Sequence, residues 1–132
     1  LAAMGYDAMM ATELEFFLFE KSFDQIRKEK FRDLEPISGY NEDYHILQTT
    51  KEEHVMRPLR NHLWNAGIPV ENTKGEAEAG QEELNIKYAA ALDTADHHTI
   101  AKHATKEIIQ PHCILQLIYI LQHTHFRKHN RH

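Results

Sequence analysis

Two glutamates two residues apart, Glu13 and Glu15, stand in the run Glu13-Leu14-Glu15-Phe16-Phe17-Leu18-Phe19, whose other members are all apolar. Downstream, Glu76 and Glu83 lie around a turn that carries Gly75 and Gly80. Short strands can bring these four carboxylates to one place. Hard divalent cations such as Mg²⁺ take oxygen ligands, and a cluster of like charges is tolerated only where a cation neutralises it. Spacing alone favours the competing reading, solvated surface acids in a chain rich in acids; what resists it is the placement of two carboxylates in a core-like strand, because a buried acid requires a partner.

The elements that must position these residues follow from hydrophobic periodicity. Met10 to Phe19 alternates and is rich in aromatics, which predicts a strand with Glu13, Glu15, Phe17 and Phe19 on one face and Leu14, Phe16 and Leu18 on the other. A short amphipathic helix is expected from Ser22 to Leu34, then a loop at Pro36, Gly39 and Asn41. Thr50 and Glu53 have capping-box spacing and open a helix to Asn65 that carries Val55, Met56, Leu59, Leu63 and Trp64, with a stop at Gly67. Ile68 to Glu71 reads as a short strand and Gln81 to Tyr88 as a second. On that second strand Glu83, Asn85 and Lys87 face one way, and Leu84, Ile86 and Tyr88 the other. Asp93 caps a last helix to Ile109, with Ala95, Ile100, Ala104 and Ile108 along one side and Pro111 beyond its end. Ile114 to Leu121 has strand character, and the residues after it read as a solvated tail. The fold class is α+β, with mostly antiparallel strands and covering helices.

Composition narrows the function. Fifteen Lys and Arg stand against 20 Asp and Glu, a net charge of −5 over 132 residues, which disfavours a phosphate-backbone partner such as nucleic acid. The charge is uneven. No acid follows Glu107, and from His112 onward the chain carries Arg127, Lys128, Arg131 and five of the 11 histidines, so the preceding part holds −8. Cys113 stands alone, which fits a reducing compartment and a cytoplasmic location. No apolar run reaches the roughly 18–20 residues of a membrane span, and the first residues lack the basic region of a signal peptide. A start at Leu1 suggests a piece of a longer product. No phosphate-binding glycine loop or nucleophile elbow occurs, and His97, His98 and His103 are expected to face solvent on their helix.

The words ExEFFLF at Glu13–Phe19, Val70-Glu71-Asn72-Thr73-Lys74-Gly75-Glu76, Gly80-Gln81-Glu82-Glu83-Leu84-Asn85, Ala95-Asp96 and Lys106-Glu107-Ile108 together resemble the catalytic domain of glutamine synthetase, closest to the actinobacterial-type glutamine synthetase-like proteins. The segment Tyr44-His45-Ile46-Leu47-Gln48-Thr49-Thr50 is similar to a loop of that group. This resemblance spans about residues 1–108 and implies part of an incomplete barrel built of mostly antiparallel strands. It implies an ATP-dependent ligase: glutamate attacks the γ-phosphate of ATP, and ammonia then displaces phosphate from γ-glutamyl phosphate. It further implies two Mg²⁺ or Mn²⁺ ions, with Glu15, Glu76 and Glu83 holding the first and Glu13 the second. Glu71 and the segment Ile86, Lys87 and Tyr88 would contact the nucleotide, with Tyr88 near the adenine. Glu76 would take the proton of the incoming ammonium, and Tyr40 is similar to a tyrosine beside the ammonium pocket. Ring-shaped homo-oligomers are implied for the intact family.

Two departures stand out. The loop Gly75-Glu76-Ala77-Glu78-Ala79-Gly80-Gln81 keeps the glutamate spacing but lacks the family's Trp and Pro, and Glu78 adds charge. After Glu107 the sequence leaves the family's pattern, including its glycine and histidine motif for glutamate and the second metal. Residues 109–132 are therefore expected to be a divergent, basic, His-rich tail of frameshifted or unrelated origin. Three functional readings follow: an inactive fragment of a glutamate–ammonia ligase, a fragment of a γ-glutamylamide synthetase using an organic amine, and a non-catalytic remnant that binds metal and nucleotide.

Overall fold

The computed structural model describes residues 1–110 with their side chains and residues 115–128 as backbone. After a short 3₁₀ turn at Ala2–Met4 come β1 (Tyr6–Phe19), α1 (Phe23–Lys28), α2 (Ile46–Lys51), α3 (Glu53–Asn65), β2 (Val70–Gly75), β3 (Gln81–Ala90), α4 (Ala91–Ile109) and β4 (Leu115–Lys128). The strands form one antiparallel sheet in the order β2-β3-β1-β4. The expected α+β class is the observed one, and among the described residues no helix is long and apolar enough to cross a membrane.

Alternation in β1 does what its residue types dictate. Leu14, Phe16 and Leu18 are fully buried, and Glu13, Glu15 and Phe17 between them are half-buried on the opposite face. The buried face of the sheet, completed by Leu84 and Ile86, packs against Val55, Met56, Leu59 and Leu63 of α3 and against Ala101 and Ile109 of α4. Phe19 and Ile26 form a smaller cluster with Phe17 and Leu34.

Several expected boundaries shift. The helix foreseen from Ser22 to Leu34 stops at Lys28, because Lys30, Phe31 and Asp33 adopt left-handed φ values near +55°. The capping box belongs to this helix, where the Ser22 side chain and Gln25 satisfy one another's backbone N–H groups. Thr50 caps nothing; it lies inside α2 and its hydroxyl donates to the Ile46 carbonyl at 2.8 Å. His45 caps α2, and the chain breaks at Glu52 before α3 begins. Trp64 is two-thirds exposed and does not join the core. β2 begins and ends later than expected, with Glu71 at an irregularity in its pairing, and β3 runs on to Ala90. Helix α4 begins at Ala91, so Asp93 sits in its first turn without capping it. Its buried stripe is Thr94, Ala101, Thr105 and Ile109, whereas Ile100 is half exposed. Small and hydroxyl-bearing residues make that stripe, so apolar periodicity misplaced it; Thr94 and Thr105 are satisfied by the Met10 and Ala101 carbonyls. β4 reaches Lys128, well into the stretch expected to be a solvated tail, and covers the outer edge of β1. Pro111 and Cys113 lie outside the described residues.

Candidate functional site

The sheet register assembles the site. Lys74, Glu83 and Glu15 form one cross-strand row, and Asn72, Asn85 and Glu13 form the next on the same face. Directly opposed residues on adjacent strands have Cβ atoms about 4.5–5.5 Å apart. One carboxylate oxygen from each of Glu13, Glu15 and Glu83 accordingly lies within 4.8 Å of the others. Glu83 has only 2% of its side chain exposed, so the row joins a buried acid to two half-buried ones.

Hydrogen bonds hold this platform in shape. The Gln81 side-chain amide donates to Glu15 at 2.6 Å, and the Asn85 amide donates to Asn72 at 2.9 Å. Lys74 extends its ammonium between Glu76 and Glu83, donating to both. Glu76 also accepts from its neighbour Ala77 N–H at 3.3 Å, and its own N–H donates to the Gln81 carbonyl, which closes the 76–81 turn. Burial pushes the Glu83 carboxyl up to about 7, assisted by a hydrogen bond with Glu76 and opposed by Lys74. Glu76 is held below the usual carboxylate range, first by that hydrogen bond and then, against burial, by Lys74. Burial works to lower the Lys74 pKa, but its two carboxylate partners outweigh this and raise it.

The chemistry of this donor set fits a hard divalent cation. Three carboxylates converge on one side of the sheet, and one protein ammonium already offsets part of their charge. The structure brings together Glu13, Glu15 and Glu83. Glu76 stands beside them, joined through Lys74.

The other sequence-derived residues distribute around this platform. Tyr40 is 45% exposed in the loop before α2 and packs edge-on against His45, their rings 5.4 Å apart. Glu71, Lys87 and Tyr88 are exposed along β2 and β3, with Lys87 and Tyr88 on opposite faces of β3. Ile86 is 2% exposed with its side chain in the core, so it offers only backbone there. His98 does not face solvent as expected: its Nδ1 lies 3.0 Å from the Thr12 hydroxyl and its Nε2 is buried. His97 is half-buried too, and His103 is exposed beside Glu107 at 3.1 Å.

Sequence reasoning missed two features. Lys74 carries no chemistry that its spacing alone announces; its place opposite Glu83 follows from the pairing of β2 with β3. Glu42, Glu52 and Glu82 form a second, fully buried acidic group on the other side of the sheet, with a carboxylate oxygen from each within 4.8 Å of the others. Strict alternation puts Glu82 on the face of Leu84 and Ile86, and that was the available signal. Burial pushes the Glu82 carboxyl up to about 11 and the Glu42 carboxyl up to about 7.

A sequence model of the glutamine synthetase catalytic domain matches residues 1–115. A γ-glutamylethanolamide synthetase of Streptomyces coelicolor is 41% identical over 108 residues, 82% of this chain and 23% of that protein. A glutamate–isopropylamine ligase of a Pseudomonas species is 34% identical over 109 residues, 83% of this chain and 24% of the relative. The solved structure of a GmaS/ADP complex superposes with a TM-score of 0.71 at 23% identity, covering 88% of this chain and 26% of the other. The chain thus spans about a quarter of the length of the curated relatives it matches. With the family model matching most of its residues and its fold shared with that structure, this chain belongs to the glutamine synthetase family and represents part of the catalytic domain.

Proposed function

We propose that this chain forms the metal and nucleotide face of an ATP-dependent glutamate–amine ligase. The observation that carries this reading is the cross-strand row Lys74–Glu83–Glu15 with Glu13 beside it, an acidic platform on one face of the sheet. In this reading Glu15, Glu76 and Glu83 hold one Mg²⁺ or Mn²⁺ ion and Glu13 contributes to a second. When bound, such ions neutralise the charge on the transferring phosphoryl group and on the glutamate carboxylate. Gln81 fixes the Glu15 carboxylate, and Lys74 restrains Glu76 and Glu83. Glu71, Lys87 and Tyr88 border the nucleotide, with the Ile86 backbone beside them, and Tyr88 offers an exposed ring for the adenine. Glu76 would take a proton from the incoming amine, with Tyr40 near that pocket.

Glutamine formation with ammonia is the reaction named by the family. The relatives at 41% and 34% identity are named for a γ-glutamylethanolamide product and an isopropylamine substrate, which supports an organic amine as the acceptor. Supplying the intact parent protein with ATP, glutamate and either ammonia, ethanolamine or isopropylamine separates the two. Faster phosphate release with an organic amine supports the amide reading, and release with ammonia alone overturns it. The isolated chain, holding a half-site, is expected to release no phosphate with any acceptor. Cytoplasmic residence and ring assembly belong to the same proposal for the parent protein.

A further inference from the structure

Glu82 is fully buried on β3, in the cross-strand row Phe16–Glu82–Gly75 on the core face of the sheet. Gly75 leaves room there for the chain at Glu42: a Cβ at position 75 would lie 2.8 Å from the Glu42 Cβ and from its carbonyl oxygen. Glu52, 1% exposed, reaches the same point from the junction of α2 and α3. Three carboxylates from three separate segments thus meet in the interior.

Their hydrogen bonds leave a distinctive remainder. Glu42 Oε1 accepts from the Gly80 N–H at 2.7 Å and from the Ser38 hydroxyl. Glu52 Oε1 accepts from the Gln48 amide at 2.8 Å. These donors fix the orientation of two carboxylates, as outer partners do around ligands. Glu42 Oε2, Glu52 Oε2 and both oxygens of Glu82 are buried and receive no hydrogen bond from any described residue outside the trio; within it, Glu52 lies within hydrogen-bonding reach of Glu42 and Glu82 once a proton is shared. A buried carboxylate left in this way is strongly disfavoured unless a cation or proton meets it. Lys74, Arg57 and Arg60 line the adjoining cavity of about 560 Å³ together with Glu82, but they are engaged by Glu76, Glu83 and Glu53. Glu82 thus borders a cavity from inside the core.

We propose that Glu42, Glu52 and Glu82 form a second divalent-cation site, structural in role, which ties the loop before α2, the α2–α3 junction and β3 into one unit. Oxygens that share one ion at about 2.0–2.6 Å lie no more than about 4–5 Å apart, which the three carboxylates satisfy. The site is separate from the Glu13, Glu15 and Glu83 platform, because Glu82 and Glu83 point to opposite faces of β3. Its failure would leave the platform reading intact.

The test is Mn²⁺ binding, counted by electron paramagnetic resonance, together with the Mn²⁺-induced change in Tm. Both are measured on the full chain carrying Glu15→Gln, which weakens the platform. One Mn²⁺ per chain and a Tm raised by Mn²⁺ are expected. Adding Glu82→Gln should weaken that binding at least tenfold and remove the Tm response, whereas Glu78→Gln on the exposed 76–81 turn should change neither. Glu52→Gln replaces Glu82→Gln if circular dichroism shows the latter unfolded. Absence of Mn²⁺ binding in the Glu15→Gln chain, or equal binding after Glu82→Gln or Glu52→Gln, overturns the proposal. So does a Tm that rises with Glu82→Gln in chelator and never responds to Mn²⁺, which marks a proton-sharing cluster.

Discussion

Glu15 on β1 and Glu83 on β3 are direct cross-strand partners, so an antiparallel pairing places two carboxylates face to face. Like charges in that position destabilise a sheet. The arrangement persists because Gln81 donates to Glu15 and Lys74 to Glu83.

Lys74 is the one protein cation in the row, and Lys74→Met removes it while keeping most of the aliphatic stem. In chelator the variant is expected to lose about 1–3 kcal/mol of stability, the usual consequence of leaving a buried acid without its partner. Urea denaturation in the presence of Mn²⁺ should recover most of that loss, since the ion then supplies the missing charge. An unchanged urea midpoint in chelator would show that Lys74 carries no structural role.

Leu14 is fully buried between α3 and the sheet. Leu14→Ala should destabilise the chain by about 2–5 kcal/mol, the range for a buried leucine truncated in a packed core. Chemical denaturation measures it directly. A loss below about 1 kcal/mol would mean that the β1 face is not packed as described.

Gly75→Ala should also destabilise, by about 1–3 kcal/mol, because the added methyl meets Glu42 at 2.8 Å. The effect is steric and should persist at every metal concentration. Thermal denaturation with and without Mn²⁺ checks both halves of this statement.

His98 ties α4 to β1 through Thr12. Burial, and secondarily Lys102, lowers its pKa below the ordinary 6.5. The unfolded chain therefore takes up the proton first as the pH falls. The stabilising contribution of neutral His98 is complete above about pH 6.5 and is lost as the pH falls from there through the folded-state pKa. An NMR titration should find the His98 ring titrating below 6.5, and His98→Gln should make stability less sensitive to pH across that window. A His98 ring titrating at or above 6.5 contradicts the account.

Much of the platform was legible in the sequence because strand alternation is a strict period. Once Glu13 and Glu15 lay on a strand with Leu14, Phe16 and Leu18, their common face followed. Register was not legible, and register is what sets Glu15 opposite Glu83 and brings Lys74 between Glu83 and Glu76. Helix limits failed where local chemistry competed with periodicity. The Thr50 hydroxyl bonds back to Ile46, left-handed residues end α1, and three of the four residues in the α4 stripe are Ala or Thr, which carry little apolar contrast. The trio of Glu42, Glu52 and Glu82 was hidden because its members come from three segments that only the tertiary fold joins.

The central claim is that Glu13, Glu15 and Glu83 make a divalent-cation platform. Its most direct test is an isothermal titration of Mn²⁺ into the purified wild-type chain and into Glu15→Ala, performed under the same conditions. The account predicts that the substitution weakens one binding event at least tenfold and leaves the fold intact by circular dichroism. Equal affinity and stoichiometry in the two chains would contradict it.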